Sequence, residues 1–218
     1  MTRKNEKLMP QRPIEDRIRS FAADLARRLR SQIDDRVAEM DNDNLSHYLI
    51  YRVLGVSDEE GSLIDIYQNK GRFLYKYAGS FLETVCKWCL QERFPEAVAV
   101  RIPNTEGKRP KTFEIDCLVG TDAIEIKWRD ATTDGDHITK EHTRIKVIAG
   151  AGFTPIRAMF YYPNLAQAIR IQQTLETLYT GIGGHYYFGD AAWTYLQTTT
   201  DIDLRAILER LAAEKARQ

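Results

Sequence analysis

Two carboxylates and one lysine, Asp116, Glu125 and Lys127, have the types and spacing that phosphodiester chemistry needs. They lie in Phe113-Glu-Ile-Asp-Cys-Leu-Val-Gly-Thr-Asp-Ala-Ile-Glu-Ile-Lys127, two alternating runs around Gly120-Thr121. Glycine at the first loop position suits a two-residue type II′ hairpin. That loop sets Val119 opposite Asp122, so Asp116 opposes Glu125 and Glu114 opposes Lys127. Opposed Cβ atoms lie roughly 5 Å apart, and like charges there repel. A hard divalent cation such as Mg2+ binds carboxylate oxygens and removes the repulsion. With Lys127 leaning over the same spot, the group forms a site for attack on a phosphodiester.

The two faces of this hairpin differ. Phe113, Ile115, Cys117 and Val119 share an apolar face with Ile124, Ile126 and Trp128, which is expected to pack against helices. The other face carries Glu114, Asp116, Glu125, Lys127 and Arg129.

Asp116, an eight-residue gap and then Glu125-Ile126-Lys127 resembles the D…ExK signature of the PD-(D/E)xK nuclease superfamily. Its first half reads Ile115-Asp116 rather than Pro-Asp, which leaves the ligand itself in place. The stretch from about Tyr75 to Tyr162 resembles type II restriction endonucleases, and within them the ApaLI-like group. The resemblance implies an α/β fold: a restriction-endonuclease-like core with a mixed central β-sheet flanked by helices, and an N-terminal helical part. It implies Mg2+ as cofactor, held by Asp116, Glu125 and the carbonyl of Ile126, with Lys127 touching the attacking water or the phosphate. A helix before the sheet often adds an acid to such sites, and Glu83 fits that place. An ordinary flank charge is the other reading of Glu83. The implied substrate is double-stranded DNA, cut to give 5′-phosphate ends, and the ApaLI-like group implies the palindrome GTGCAC. Cutting both strands of a symmetric sequence needs two sites about a two-fold axis, so a homodimer is expected. A cognate DNA methyltransferase is expected in the same system.

The whole chain sets limits on these readings. Its 218 residues are enough for one domain of ordinary size, with 43% hydrophobic and 28% charged residues. Zero formal net charge leaves nucleic-acid binding to local basic patches. No run of ~18 apolar residues is present, so no membrane span is expected. The N-terminal residues lack the apolar core of a signal peptide. Three cysteines, an odd set, speak against a disulfide framework and for a reducing cytoplasm. Cys86-Lys-Trp-Cys89 matches C-x-x-C, but it lies in a helical pattern without a second pair, so packing is the better reading.

Apolar spacing predicts a helix from Pro13 to about Met40 and another over Leu45–Leu54. Its face of mixed charges is either solvated or set against DNA or a second subunit. Ser57-Asp-Glu-Glu60 reads as a capping box. A long helix is predicted from Gln68 to Phe94, stopped by Pro95 and carrying Glu83 beside its buried stripe. No linker rich in Pro or Gly intervenes, so the reading is one nuclease domain over 1–218. Residues 1–66 form its helical part, and 67–218 the core with C-terminal helices. Strands are predicted at Val98–Pro103 and Pro155–Tyr162, with a helix over Ile138–Ala149 between the hairpin and the second of these. Strand, helix, strand makes a parallel pair by a right-handed crossover. Asn164 is expected to cap a helix to about Tyr179, and two further helices follow the turn at Gly181, Gly183 and Gly184.

DNA contacts are expected from the loop residues Lys108, Arg109 and Lys111 and from the segment after the ExK strand. That segment offers Arg129, Thr132, Thr133, His137, Lys140 and Arg144. His137, Lys140 and Arg144 share roughly one helical face. Asp134 and Asp136 either accept from cytosine amino groups or cap the helix, with capping preferred for Asp136. His137 and His142, five apart, are not on one face and are poor metal ligands together. Three other readings stay open: a repair or junction-resolving nuclease, a DNA-binding module with an inert metal site, and a structural charge cluster on a solvated hairpin.

Overall fold

The computed structural model of the chain describes residues 13–129 and 135–217, the latter without the side chains of 135–137. It divides into two compact units, one up to Tyr77 and one from Ala78. The division falls inside a helix, α3 (Asp58–Arg93).

The first unit contains α1 (Ile14–Asp41), α2 (Tyr48–Val53) and the N-terminal part of α3. Pro13 precedes α1, where its missing N–H costs nothing, and Glu15 and Asp16 complement the helix dipole. Ser57 accepts a hydrogen bond from the Glu60 N–H at 3.1 Å, so the predicted cap forms. The turn after Ser57 and the helix from Gln68 are one element of 36 residues. Gly61, Gly71 and Gly79 interrupt its pattern, and an isolated glycine weakens a helix without ending it. Pro95 ends it, because the residue before proline is driven out of the α region.

The second unit is built on a five-stranded sheet in the order β1 (Val98–Pro103), β2 (Thr112–Val119), β3 (Asp122–Arg129), β4 (Thr154–Tyr161), β5 (His185–Phe188). The first three strands are antiparallel and the last three parallel, so the sheet is mixed, as expected. The parallel steps are made through α4 (Gly135–Gly150) and α5 (Ala166–Gly181). Two helices, α6 (Asp190–Thr200) and α7 (Leu204–Ala216), complete the chain. No helix among the described residues is long and apolar enough to cross a membrane.

The hairpin turns where the sequence placed it. Gly120 has φ +57°, the positive value its loop position requires, and Val119 pairs with Asp122. Leu118–Ala123 and Cys117–Ile124 keep the same register, but the paired ladder stops there. The cause lies on the other edge of β2. Between the pairs Val98–Leu118 and Val100–Ile115, β1 advances two residues and β2 three. One extra residue in β2 is a bulge, which re-aims side chains and changes which face they occupy.

The expected faces are corrected accordingly. Phe113 and Ile115 cluster with Ile102, Ala123 and the α4 residues Val147 and Ile148. By alternation, Ala123 lies on the opposite face of β3 from Ile124 and Ile126. Glu114 does not face Lys127 either. It pairs with Arg101 on β1, whose guanidinium donates to its carboxylate at 2.9 Å. The predicted polar face is not open to solvent along β3, where Ala123, Ile124, Glu125 and Ile126 are all buried. A strand lying between neighbours and under a helix is covered on both sides.

Two further differences concern the C-terminal third. His185–Phe188 is a strand that the sequence pattern does not predict. Four residues are too few for periodicity to identify. It seats closely because Gly184 lies against β4, where a Cβ would meet the Pro155 carbonyl oxygen at 2.4 Å. The cap of α5 is Leu165, without a side-chain hydrogen bond, and not Asn164.

Candidate active site

Asp116 is the residue that the bulge re-aims. Its Oδ2 accepts a hydrogen bond from the Ile126 N–H at 2.9 Å. A side chain thus takes a donor that a continued ladder would give to backbone, which is why pairing ends at Cys117–Ile124. Burial pushes the Asp116 carboxyl up to about 7, and the neighbouring charge of Glu125 adds to this. The Ile126 N–H and Lys127 oppose the rise without cancelling it.

Glu125 sits one position before Ile126 and is only 3% exposed. Both of its oxygens are engaged. Lys127 Nζ lies 2.5 Å from Oε1, and Arg144 of α4 donates through Nη2 to Oε2. Burial alone would raise this carboxyl, but the charges of Arg144 and Lys127 outweigh it and hold Glu125 well below the usual carboxylate range. Lys127 is raised in turn, the Glu125 charge and hydrogen bond outweighing burial. The two carboxylates of one hairpin therefore differ. Glu125 stays ionised, and Asp116 holds its proton to near neutrality.

Behind Glu125 stands a second layer that the sequence reading did not identify. Arg157 of β4 is the parallel-register neighbour of Glu125 and is fully buried. Its Nη1 lies 3.3 Å from Glu141 Oε1 of α4, which also accepts from the Tyr179 hydroxyl at 2.6 Å. Arg144 Nη1 is 3.7 Å from that same oxygen, and its Nη2 donates to the Glu114 carbonyl at 2.6 Å. Charges alternate along Arg157, Glu141, Arg144, Glu125 and Lys127. Each buried ion thus has an opposite neighbour, as low-dielectric surroundings demand. An arginine inside the apolar run Ile156-Arg157-Ala158-Met159-Phe160 was the available signal for this layer.

Glu83, Glu114, Asp116, Glu125 and Arg144 line one concavity of about 400 Å3. Glu83 of α3 is thus brought to the centre, paired with Lys87 one turn on at 2.6 Å. Arg144 is placed differently from the expectation. The sequence sets it on one helical face with His137 and Lys140 for contact with DNA, but its side chain is 11% exposed and lies in the carboxylate centre. Lys140 is exposed. Lys108, Arg109 and Lys111 are exposed in the β1–β2 loop, which Asn104 organises by accepting from the Glu106 N–H and donating to the Pro110 carbonyl. Arg129 is exposed at the end of β3, over the Trp128 ring. Thr132, Thr133 and Asp134 lie outside the described residues, as do the side chains of Asp136 and His137.

The donor chemistry fits a hard divalent cation: two carboxylates on adjacent strands, Asp116 and Glu125, with two further acids, Glu83 and Glu114, lining the same concavity. No set of three or more His, Cys, Asp or Glu side chains among the described residues is already gathered around one point. An ion at Glu125 would have to share that carboxylate with Lys127 or Arg144.

A mixed sheet flanked by helices, with a helical N-terminal part, is the architecture of a restriction-endonuclease-like protein. The chain belongs to the ApaLI-like restriction endonuclease family, whose pattern matches residues 7–213. Membership implies an endodeoxyribonuclease with DNA as its substrate, of the type II site-specific kind. Among curated proteins and solved structures, none matches the chain.

Proposed function

We propose that this protein is a Mg2+-dependent type II restriction endonuclease of the PD-(D/E)xK kind, which cuts double-stranded DNA at a symmetric site and leaves 5′-phosphate ends. One observation carries the proposal. Asp116, Glu125 and Lys127 converge on the hairpin beside a concavity that Glu83 also lines.

Asp116, Glu125 and the Ile126 carbonyl would hold Mg2+, which when bound acidifies a water and offsets charge growing on phosphorus. The protein's own groups do the rest. Lys127, whose ammonium lies on Glu125, brings a fixed positive charge to the attacking water or to a non-bridging phosphate oxygen. Arg157 and Glu141 hold α4 and β4 in register behind Glu125, so the carboxylate is positioned before substrate arrives. Lys108, Arg109, Lys111 and Lys140 are exposed and suit phosphate contacts, as does Arg129. One centre cuts one strand, so a homodimer completes the reaction on a symmetric sequence. A methyltransferase acting on the same sequence protects the host DNA.

Digestion of a plasmid of known sequence, with the ends mapped, tests this reading. Discrete fragments at one sequence are expected with Mg2+, and GTGCAC is the sequence that the family points to. Nicking that follows DNA structure rather than sequence would indicate a repair nuclease. With Ca2+ in place of Mg2+, specific binding without efficient cleavage is expected, because the larger ion acidifies its water less.

A further inference from the structure

Counting charge around Glu125 gives an unexpected balance. Asp116, Glu125 and Glu141 supply three carboxylates, and Lys127, Arg144 and Arg157 supply three cations. The flanking acids are already paired, Glu83 with Lys87 and Glu114 with Arg101. With Asp116 ionised, the form in which it can serve a metal, the centre is electroneutral. A divalent cation entering alone would leave an excess of two positive charges in a poorly solvated place, which is unfavourable.

Of the two cations on Glu125, Arg144 is the one with somewhere else to go. Its guanidinium reaches Glu125 Oε2, the Glu114 carbonyl and Glu141 Oε1 at once, and its Nε is buried with no hydrogen-bond partner. A buried donor left unpaired is costly and marks a group that is not in its best arrangement. Arg144 also lines the concavity, so an acceptor arriving there, such as a phosphate oxygen, lies within its reach.

We propose that Arg144 is the resident cation of the metal-free centre. It competes with the divalent ion for Glu125 and releases that carboxylate only when DNA phosphate supplies the compensating negative charge. This rests on the metal-centre reading given under Proposed function and makes Arg144 a positioning residue that acts through Glu125. The centre is thereby kept from loading metal away from DNA.

The test is Mn2+ binding to the DNA-free full-length protein, followed by the loss of free-ion paramagnetic resonance signal. Wild type is compared with Arg144→Gln, Arg144→Lys and Glu125→Gln. Arg144→Gln should bind Mn2+ at least ten-fold more tightly than wild type, and Arg144→Lys, which keeps the charge, should remain within about three-fold of it. Should Arg144→Gln fail to fold, the wild-type protein still decides, because the Arg144 side-chain N–H resonances must shift when Mg2+ is added with DNA and not without it. Unchanged or weaker Mn2+ binding in Arg144→Gln, or resonances that do not move, would overturn the proposal. Glu125→Gln separates the two readings. If it binds Mn2+ like wild type, the metal centre itself is misplaced. If it loses binding while Arg144→Gln is unchanged, only the role of Arg144 fails.

Discussion

Asp116→Asn should stabilise the metal-free protein at alkaline pH while abolishing cleavage. The Asp116 carboxyl is pushed up from 3.8 to about 7 by burial and by the Glu125 charge. A raised folded-state pKa means the folded protein binds this proton more tightly than the unfolded chain does. The resulting stability is fully present below 3.8 and is lost as pH rises through about 7. At pH 8 the ionised carboxylate therefore costs stability, up to about 4 kcal/mol at about 1.4 kcal/mol per pKa unit. Asparagine removes the charge and keeps an oxygen for the Ile126 N–H. The assay is urea unfolding in EDTA across pH, with wild type and variant compared at equal m-value. The advantage of Asp116→Asn should reach a few kcal/mol at pH 8, fall to roughly 1–2 kcal/mol at pH 5 and vanish near pH 4. Saturating Ca2+ together with cognate DNA should reverse the order at pH 8, since ligands that bind only the folded state stabilise it and the variant has lost a metal ligand. An advantage that is absent at pH 8, or that does not change with pH, would refute the electrostatic reading of the hairpin.

Glu125→Ala should abolish cleavage and also destabilise the fold by about 3–5 kcal/mol, because it strands Arg144 and Lys127 near a buried gap; denaturant titration measures this, and a variant as stable as wild type would contradict the paired arrangement. Neutralising Lys108, Arg109 or Lys140 singly should leave stability unchanged and weaken DNA binding, reducing the salt slope by about one for each lost phosphate contact; an unchanged slope would place that residue away from DNA. Gly184→Ala should cost about 3 kcal/mol or more, since its Cβ would lie 2.4 Å from the Pro155 carbonyl oxygen; a wild-type thermal midpoint would show that β5 seats less closely. Cys89 and Cys117, buried and pushed up to about 12 and about 11 mainly by burial, should resist alkylation in the native protein and react on unfolding.

The local signals of this chain settled much of the fold and the identity of the hairpin groups. Glycine at the first loop position dictated the turn, so Val119 meets Asp122. Pro95 ended the long helix, and Ser57 capped it at its other end. The spacing of Asp116, Glu125 and Lys127 pointed to a nuclease because it is a one-dimensional pattern, one acid before the turn and an acid and a lysine two residues apart after it. The ApaLI-like family is likewise legible in sequence alone, over residues 7–213. What depended on non-local packing was not legible. The bulge in β2 falls between the Val98–Leu118 and Val100–Ile115 pairs, and it carries Asp116 onto the Ile126 N–H. Arg144 looked like one more basic residue on a helical face, because its helix gives no sign that Glu125 lies beneath it. Glu141, Arg157 and Tyr179 come from a helix, a strand and another helix that only the tertiary fold brings together. Charges buried in this way need partners from elsewhere in the chain, since no residue near them in sequence can neutralise them away from water.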